Sequence, residues 1–257
     1  MSTVLDSIIE GVLEDVKLRE VPISQLRDEI AEIPDALDAY AALAMPGMQI
    51  IAEVKRSSPS KGELATITDP AALAATYQSA GAAVISVLTE GRRFKGSPAD
   101  LQAVRSRVSL PILRKDFTVT EFQVYETRAL GADLILLIVA ALSDSQLKDY
   151  YQLSHELGLS VLVEVHDEVE IERALAIDAR LIGVNARDLK TLEIHPDAFD
   201  RLLPHIPDDK IKVAESGIST RAEVVNAEAR GAKAILVGET LVRAGDPAAA
   251  ISTLLGR

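Results

Sequence analysis

Lysines and carboxylates recur in this chain at the ends of short apolar runs. Four of them lie at the end of the first, third or fifth of these runs or directly after it: Glu53, Lys55, Lys115 and Glu164. A carboxylate can accept a proton and a protonated lysine can donate one, so the two types together could perform general acid–base catalysis. Such catalysis requires a fold that brings these distant positions to one place.

Eight apolar runs follow one another after residue 48, and amphipathic stretches separate them. The runs cover residues 50–54, 83–88, 111–115, 133–139, 160–165, 180–185, 211–216 and 234–238. Each is short and almost wholly apolar, which predicts parallel strands covered on both faces. Several of the stretches between them begin at Ser, Thr or Asp and end at Gly, which predicts capped helices. Gly81, Gly131 and Gly231 would each end a helix just before a strand.

This alternation predicts an α/β fold, a closed (β/α)8 TIM barrel. A doubly wound sheet is the alternative, but it usually has fewer strands and a glycine-rich first turn, and the first turn here has no G-x-G-x-x-G. We predict one barrel domain over residues 1–257, with residues 1–48 as its N-terminal helical extension. Apolar residues at helical spacing predict one helix over 4–16 and a second over 26–33. The extension could plug the N-terminal end of the barrel or pack near its mouth.

Composition and charge exclude several classes of protein. The chain is 48% hydrophobic with 14 Gly and 11 Pro, which argues against disorder and fibrous repeats. Its formal charge of −12 argues against nucleic-acid binding. The sequence has neither an 18-residue uncharged apolar window nor the basic start of a signal peptide, so we expect no membrane partner and a cytoplasmic protein. The absence of Cys excludes disulfides, and the four His have no H-E-x-x-H spacing, so we expect no metal.

The active site of a TIM barrel lies at the C-terminal ends of its strands. Polar residues are concentrated at those ends and are almost missing from the strand starts: Glu53, Lys55, Thr89, Glu90, Lys115, Glu164, Asn185, Arg187, Glu215 and Ser216. Side chains i and i+2 share one face of a strand, which predicts three pairs, Glu53 with Lys55, Glu164 with His166, and Asn185 with Arg187. For any one of these residues, a structural salt bridge at the barrel mouth is the alternative. Phe94 and Phe117 follow the second and third strands and would either line the mouth or pack a loop.

The last two predicted strands end in AESGIS (214–219) and VGET (237–240). Barrels often bind phosphate there, through backbone N–H groups of the loops after strands seven and eight. Gly217 and Gly238 would let the backbone approach an anion closely, and Ser216 adds a hydroxyl. The alternative is that both are ordinary turn glycines.

Eight segments in a specific order and spacing carry a resemblance to a known family: IIAEVKRSSPSKG, SVLTEGRRFKGS, PILRKDF, LLIVAAL, LVEVH, IGVNARDL, AESGI and LVGETLV. They resemble the indole-3-glycerol phosphate synthases of tryptophan biosynthesis over nearly the whole chain. The resemblance implies ring closure of 1-(2-carboxyphenylamino)-1-deoxyribulose 5-phosphate to indole-3-glycerol phosphate, with loss of CO₂ and water. It also implies a small phosphosugar–anthranilate substrate, no cofactor, a monomer or weak homo-oligomer, and an N-terminal helix near the mouth.

The resemblance assigns roles to the charged residues. Lys55 would hold the benzoate carboxylate, Lys115 would be the general acid toward the carbonyl, and Glu164 would be the base or a charge partner. Glu53 would position the two lysines. A lysine near other cations in a shielded mouth is expected to have a lowered pKa, which would help it to donate a proton near neutral pH.

The other site residues follow from the resemblance together with the strand ends. Asn185 and Arg187 would orient the sugar and the ring, with Glu215 supporting them. The substrate-binding set is Ser58, Ser60, Phe94, Phe117, Arg187, Ser216, Gly217, Gly238 and Glu239, of which the last four would bind phosphate. Thr240 departs from the residue common in the family and is expected to contribute only its backbone.

Two other functions remain open. One is a different phosphosugar barrel, such as a class I aldolase that forms a Schiff base on Lys115 or Lys55. The other is a non-catalytic phosphate-binding barrel. The paired acids and lysines argue against the second, because a simple binder of anions gains nothing from Glu164 at its mouth.

Overall fold

The computed structural model describes residues 3–257, and eight parallel strands in it close into a barrel. They are β1 (Gln49–Val54), β2 (Val84–Leu88), β3 (Ile112–Lys115), β4 (Leu134–Ile138), β5 (Ser160–Val165), β6 (Leu181–Asn185), β7 (Ile211–Glu215) and β8 (Ala234–Val237). Each strand pairs with the next along the chain, and β8 pairs with β1. The predicted (β/α)8 TIM barrel is therefore confirmed, and the doubly wound alternative is wrong.

Helices surround the barrel, and at least one follows each strand. They are α1 (Val4–Arg19), α2 (Ile23–Ala31), α3 (Ala39–Leu43), α4 (Pro70–Ser79), α5 (Pro98–Arg105), α6 (Glu121–Ala129), α7 (Asp144–Glu156), α8 (Glu168–Ala176), α9 (Ala198–Leu202), α10 (Arg221–Ala229), α11 (Glu239–Arg243) and α12 (Pro247–Leu255). A short hairpin, Ser57–Ser58 with Gly62–Glu63, follows β1. Within residues 3–257, no helix is both long and apolar enough to cross a membrane. The same residues contain no group of three or more His, Asp or Glu arranged to hold a metal ion.

Local sequence signals explain why the elements begin and end where they do. Thr120, Ser143 and Thr220 cap helices with their side-chain oxygens and form capping boxes, as the polar helix starts predict. Gly81 and Gly131 adopt φ values of 91° and 84°, which other residues adopt only with strain. These caps fix the length of each helix and hence the point at which the next strand enters the barrel.

The N-terminal extension occupies both ends of the barrel. Arg92, in the loop after β2, binds Asp15 of α1 at 2.7 Å, which holds α1 at the mouth. At the opposite end, the Tyr40 hydroxyl of α3 accepts a hydrogen bond from the backbone N–H of Val161 at 2.9 Å, near the start of β5. Both placements that the sequence left open therefore occur, in different helices. The second helix ends at Ala31, two residues earlier than expected, and α3 was not predicted.

A buried charge network links β3 to α1 and α6. The Arg114 side chain is only 1% exposed and binds Glu126 of α6 at 2.7 Å. Glu126 also binds Arg19 of α1 at 2.7 Å, and the Arg114 Nε donates to the Thr89 hydroxyl at 3.0 Å. Because consecutive strand residues face opposite sides, Arg114 points outward to this network while Lys115 points inward. The network therefore fixes the end of β3 on which Lys115 lies.

Candidate active site

A cavity of about 610 Å³ opens at the C-terminal ends of the strands. Every residue that the sequence placed in the site lines it: Glu53, Lys55, Ser58, Ser60, Phe94, Lys115, Phe117, Glu164, Asn185, Arg187, Glu215, Ser216, Gly217, Gly238 and Glu239. Two other strand-end residues do not line the cavity. The Thr89 hydroxyl binds Asp116, and the Glu90 carboxylate accepts hydrogen bonds from the backbone of its own loop. The contacts of Thr89 and Glu90 are structural hydrogen bonds, and neither residue forms the salt bridge that the alternative predicted.

Lys115 lies at the centre of a group of carboxylates. Its Nζ is 2.9 Å from Glu164 Oε2 and 3.6 Å from Glu215 Oε2. Burial lowers the pKa of this ammonium group, but the negative charges of Glu164, Glu215 and Glu53 outweigh burial and raise its pKa above the ordinary value. The expectation of a lowered lysine pKa is therefore wrong. Lys55, the other cation of the expected set, is ion-paired with Glu53 at 2.6 Å.

Glu164 and Glu215 are both buried but differ in ionisation. Burial raises the pKa of Glu164, but Lys115 and His166 outweigh that effect and lower it below its usual range. Burial likewise raises the pKa of Glu215, and after the opposing effect of Lys115 the neighbouring Glu164 carboxylate raises it further, to about 8. Ionisation of one carboxyl group disfavours ionisation of the other when the two lie beside the same ammonium group. Near neutral pH, Glu164 is thus the carboxylate and Glu215 retains a proton.

Asn185 and Arg187 both line the cavity, and each also bonds to protein groups. The Asn185 side-chain amide donates to Glu164 Oε1 at 3.1 Å, and its oxygen accepts from the Arg187 backbone N–H at 2.9 Å. The Arg187 guanidinium donates to the Leu192 carbonyl at 2.9 Å. The Glu215 carboxylate lies beside Lys115, and neither of its oxygens has a hydrogen-bond partner among the described residues, so its support of Asn185 and Arg187 stays a prediction. The strand ends could be predicted from the sequence, but the distances between side chains of different strands could not.

Two glycines have no side chain at points where the carboxylates of Glu215 and Glu53 need room. A Cβ atom on Gly183, in the middle of β6, would lie 1.9 Å from Glu215 Oε1, and one on Gly238 would lie 2.3 Å from Glu53 Oε1. Gly183 was not among the predicted site residues. An isolated glycine inside an otherwise apolar strand is a sign of close approach by another group, so the run LIGVN contained the necessary signal.

Gly183→Ala should therefore displace Glu215 from its position. We expect a loss of about 1–3 kcal/mol in the free energy of unfolding, the usual cost of overpacking, together with reduced turnover. Urea unfolding and steady-state kinetics would measure the two effects. Gly245→Ala is the matched control, since a Cβ there would have no neighbour within 4 Å. Equal stability and activity in the two variants would contradict this account of Gly183.

The loops after β7 and β8 form one side of the cavity. Ser216 and Gly217 have φ values of 67° and 74°, a left-handed pair that turns the chain sharply after β7. The Thr240 hydroxyl donates to the Ile218 carbonyl at 2.9 Å and so ties the two loops together. The Thr240 side chain therefore has a structural role that was not predicted, while the contribution of its backbone to the site stays a prediction. Arg243 also lines this side and was not predicted, because it lies a helical turn beyond the strand end.

The opposite side of the cavity is apolar. The rings of Phe94 and Phe117 are 6.1 Å apart, centre to centre, and Ile8 of α1 extends this surface. Leu88, Leu136 and Ile138 also line the cavity, and Leu189, Leu192 and Ile194 line it from the loop after β6, where Ile194 lies beside Gly217. A cavity with a charged centre, an apolar side and a glycine-rich side could bind an aromatic ring at one end of a ligand and an anion at the other.

Comparison with known proteins agrees with this geometry. The family model of indole-3-glycerol phosphate synthase matches residues 5–254. Proteins named indole-3-glycerol phosphate synthase from Nocardioides sp. and from Mycobacterium avium are 55% and 53% identical to the chain. The first match covers 99% of this chain and 98% of its relative, and the second covers 99% and 94%.

Solved structures show the same fold at much lower sequence identity. A 3-hexulose-6-phosphate synthase is 17% identical with a TM-score of 0.60, over 81% of this chain and 99% of that one. An N-acetylmannosamine-6-phosphate 2-epimerase from Clostridium perfringens is 15% identical with a TM-score of 0.59, over 76% and 88%. These likenesses concern the barrel alone. The match of the family model and the full-length relatives establish that the chain belongs to the indole-3-glycerol phosphate synthase family.

Proposed function

We propose that the protein converts 1-(2-carboxyphenylamino)-1-deoxyribulose 5-phosphate into indole-3-glycerol phosphate, CO₂ and water. The observation that supports this most is the buried contact of 2.9 Å between Lys115 and Glu164, a proton donor beside a proton acceptor at the centre of the cavity. Membership of the synthase family supports the same reaction. The two ends of this substrate, a benzoate and a phosphate, account for a mouth with separate sites for two anions.

Lys115 is the general acid in this proposal. The ring carbon that carries the carboxylate attacks the ketone carbon, and the carbonyl oxygen takes a proton from Nζ as the new bond forms. CO₂ then leaves, and its bonding electrons restore the aromatic ring. The raised pKa of Lys115 keeps the amine protonated at neutral pH, so the acid is present when the substrate binds.

Glu164 is the base of the dehydration step. Lys115, which has regained a proton from solvent, protonates the new hydroxyl group so that it leaves as water, while Glu164 removes a proton from the carbon beside the nitrogen and afterwards releases it to solvent. Glu164 is suited to this step because it stays ionised and its Oε2 faces Lys115. Asn185 holds the other oxygen and thereby orients the base.

The remaining residues bind the substrate in this proposal. Lys55, 19% exposed at the cavity, would take the benzoate carboxylate as a second partner beside Glu53. Phe94, Phe117 and Ile8 would cover the aromatic ring, and Arg187 would contact the sugar. Ser58 and Ser60, in the loop after β1, line the same side as Lys55.

We expect phosphate to bind at the ends of β7 and β8. Crystals soaked in sulfate or phosphate should show the anion within hydrogen-bond distance of the backbone N–H groups near Gly217 and Gly238. The arginines near the mouth are poor competitors, because Arg56 is paired with Asp100 and Arg92 with Asp15. An anion found among Arg56, Lys61 and Arg92 would contradict the assignment.

The reaction itself can be tested directly. Purified protein incubated with the carboxyphenylamino substrate should produce indole fluorescence and one CO₂ for each product molecule. No conversion would leave the non-catalytic phosphate-binding barrel as the remaining explanation. A class I aldolase is not favoured, because a Schiff-base lysine must lose its proton and the carboxylates around Lys115 oppose that loss.

Location and assembly stay predictions. We propose a cytoplasmic protein, which the absence of Cys from the sequence supports. A monomer or weak homo-oligomer is proposed for the same protein. Sedimentation at several concentrations would measure the state of association.

A further inference from the structure

His166 is held between two carboxylates just after β5. Its Nε2 is 3.3 Å from Glu164 Oε1, and its Nδ1 is 3.0 Å from Glu170 Oε2. The backbone N–H of His166 donates to the same Glu170 oxygen at 2.8 Å. Glu170 lies in the first turn of α8 and is only 7% exposed. The imidazole ring therefore has one fixed orientation, which aims Nε2 at Glu164.

The ring reaches Glu164 from outside the substrate cavity. His166 lines a separate polar cavity of about 210 Å³. The charged and titratable groups around that cavity, besides His166 itself, are Asp167, Glu170, Asp188, Lys190, His195 and Arg201. Glu164 lines the main cavity and not this second one. His166 can therefore act on Glu164 without touching the substrate.

The two carboxyl groups beside Lys115 receive unequal support. Glu164 Oε2 binds Lys115, while its Oε1 binds Asn185 and His166. For Glu215, Lys115 is the only cation within 4 Å among the described residues, at 3.6 Å. The side chains are equally buried, 1% and 2% exposed, so burial does not distinguish them. The difference lies in the shorter contact with Lys115, the Asn185 amide and the imidazole of His166, which contacts Glu164 but not Glu215.

We propose that His166, oriented by Glu170, is a positioning residue that holds Glu164 in its charged form with Oε2 directed at Lys115, and so leaves the proton on Glu215. This inference rests on the proposed function, because it assigns the base of that reaction. Burial lowers the pKa of His166, but its contacts with the carboxylates of Glu164 and Glu170 outweigh burial and raise the pKa to about 10. The ring is thus a cation across the neutral range.

His166→Ala should move the acidic limb of the kcat–pH profile to higher pH. Removing the cation raises the pKa of Glu164. At each pH on the acidic limb, a smaller fraction of Glu164 is then ionised and kcat is lower. Opposite charges this close typically shift a carboxyl pKa by about one unit or more, so we expect a shift of about that size. The lost turnover should return as the pH is raised, while KM stays close to the wild-type value because His166 does not contact the substrate.

Added imidazole provides a second measurement on the same variant. The second cavity, enlarged by the missing side chain, has room for free imidazole, which should restore kcat at acidic pH in its protonated form. Glu170→Gln should shift the acidic limb in the same direction by a smaller amount. His195→Ala is the matched control, since His195 lines the same cavity without contacting Glu164.

The outcomes separate this inference from the proposed function. An unshifted acidic limb in His166→Ala, whether or not kcat falls, would overturn the proposed role of His166. If His166→Ala does not fold, as judged by circular dichroism, the limb measured in Glu170→Gln decides in the same way. If the wild-type protein fails to convert the substrate, the proposed function itself is wrong.

Discussion

Lys115→Ala should abolish turnover while the substrate still binds. A positioned general acid contributes up to about 10⁴-fold to a rate, and no other ammonium group lies as close to Glu164 among the described residues. The substrate keeps both of its anionic contacts in this variant, so its dissociation constant should change little. Stopped-flow fluorescence would measure turnover, and calorimetry would measure binding. Lys115→Met, which keeps most of the apolar stem, is the matched variant that separates loss of the charge from loss of packing.

Lys55→Ala should differ from Lys115→Ala in its effect on binding. Lys55 is proposed to hold the benzoate carboxylate, so its removal should raise the dissociation constant by about tenfold or more, as expected for a lost charge-assisted hydrogen bond. A fall in kcat alone indicates an interaction made in the transition state, whereas a weaker dissociation constant indicates ground-state binding. If Lys115→Ala weakens binding as much as Lys55→Ala does, the two roles have been assigned wrongly.

The covalent alternative predicts a different result for the same lysines. An aldolase-type mechanism forms an imine, which borohydride reduces to a stable adduct. Mass spectrometry after borohydride treatment with substrate should find no adduct on Lys115 or Lys55. An adduct on either lysine would contradict the synthase mechanism.

The barrel could be predicted from the sequence because its signals are local. Each strand is a short apolar run, and most of the helices begin at a polar cap, such as Thr120, or end at a glycine, such as Gly131. The position of the extension depends on contacts between distant residues, such as Arg92 with Asp15 and Tyr40 with Val161. Spacing along the chain does not determine such contacts, so α3 and the division of the extension between two ends were not predicted.

The residues of the candidate site could be predicted, but their ionisation could not. The rule that active-site residues lie at the C-terminal ends of the strands needs only their positions in the sequence. It predicted correctly that Lys115 and Glu164 line one cavity. The pKa of Lys115 depends on which side chains of other strands point at it, and those are Glu164, Glu215 and Glu53. Parity along the strand predicted that His166 shares a side with Glu164, but not that Glu170 would orient it. The roles of all these residues stay predictions until variants are measured.

Glu164→Gln should lower kcat by about 10²–10⁴-fold, the usual loss for a general base. The amide has nearly the same volume as the carboxyl group and can keep the contact with Asn185, but it cannot accept a proton from carbon. The melting temperature should barely move. With the charge of Glu164 removed, the proton on Glu215 is no longer favoured by a neighbouring carboxylate, so Glu215 ionises and replaces the lost negative charge beside Lys115.

Glu215→Gln is the variant that makes this prediction specific. Glu215 is protonated near neutral pH because its pKa is raised to about 8, and an uncharged amide resembles that form. At pH 7, Glu215→Gln should therefore lose much less turnover than Glu164→Gln, although both remove one carboxyl group from the same cavity. The difference should shrink above pH 8, where wild-type Glu215 is ionised and the amide no longer resembles it. Equal losses at pH 7 would contradict this assignment, and a larger loss in Glu215→Gln would mean that the proton lies on Glu164 and that the base of the reaction is Glu215.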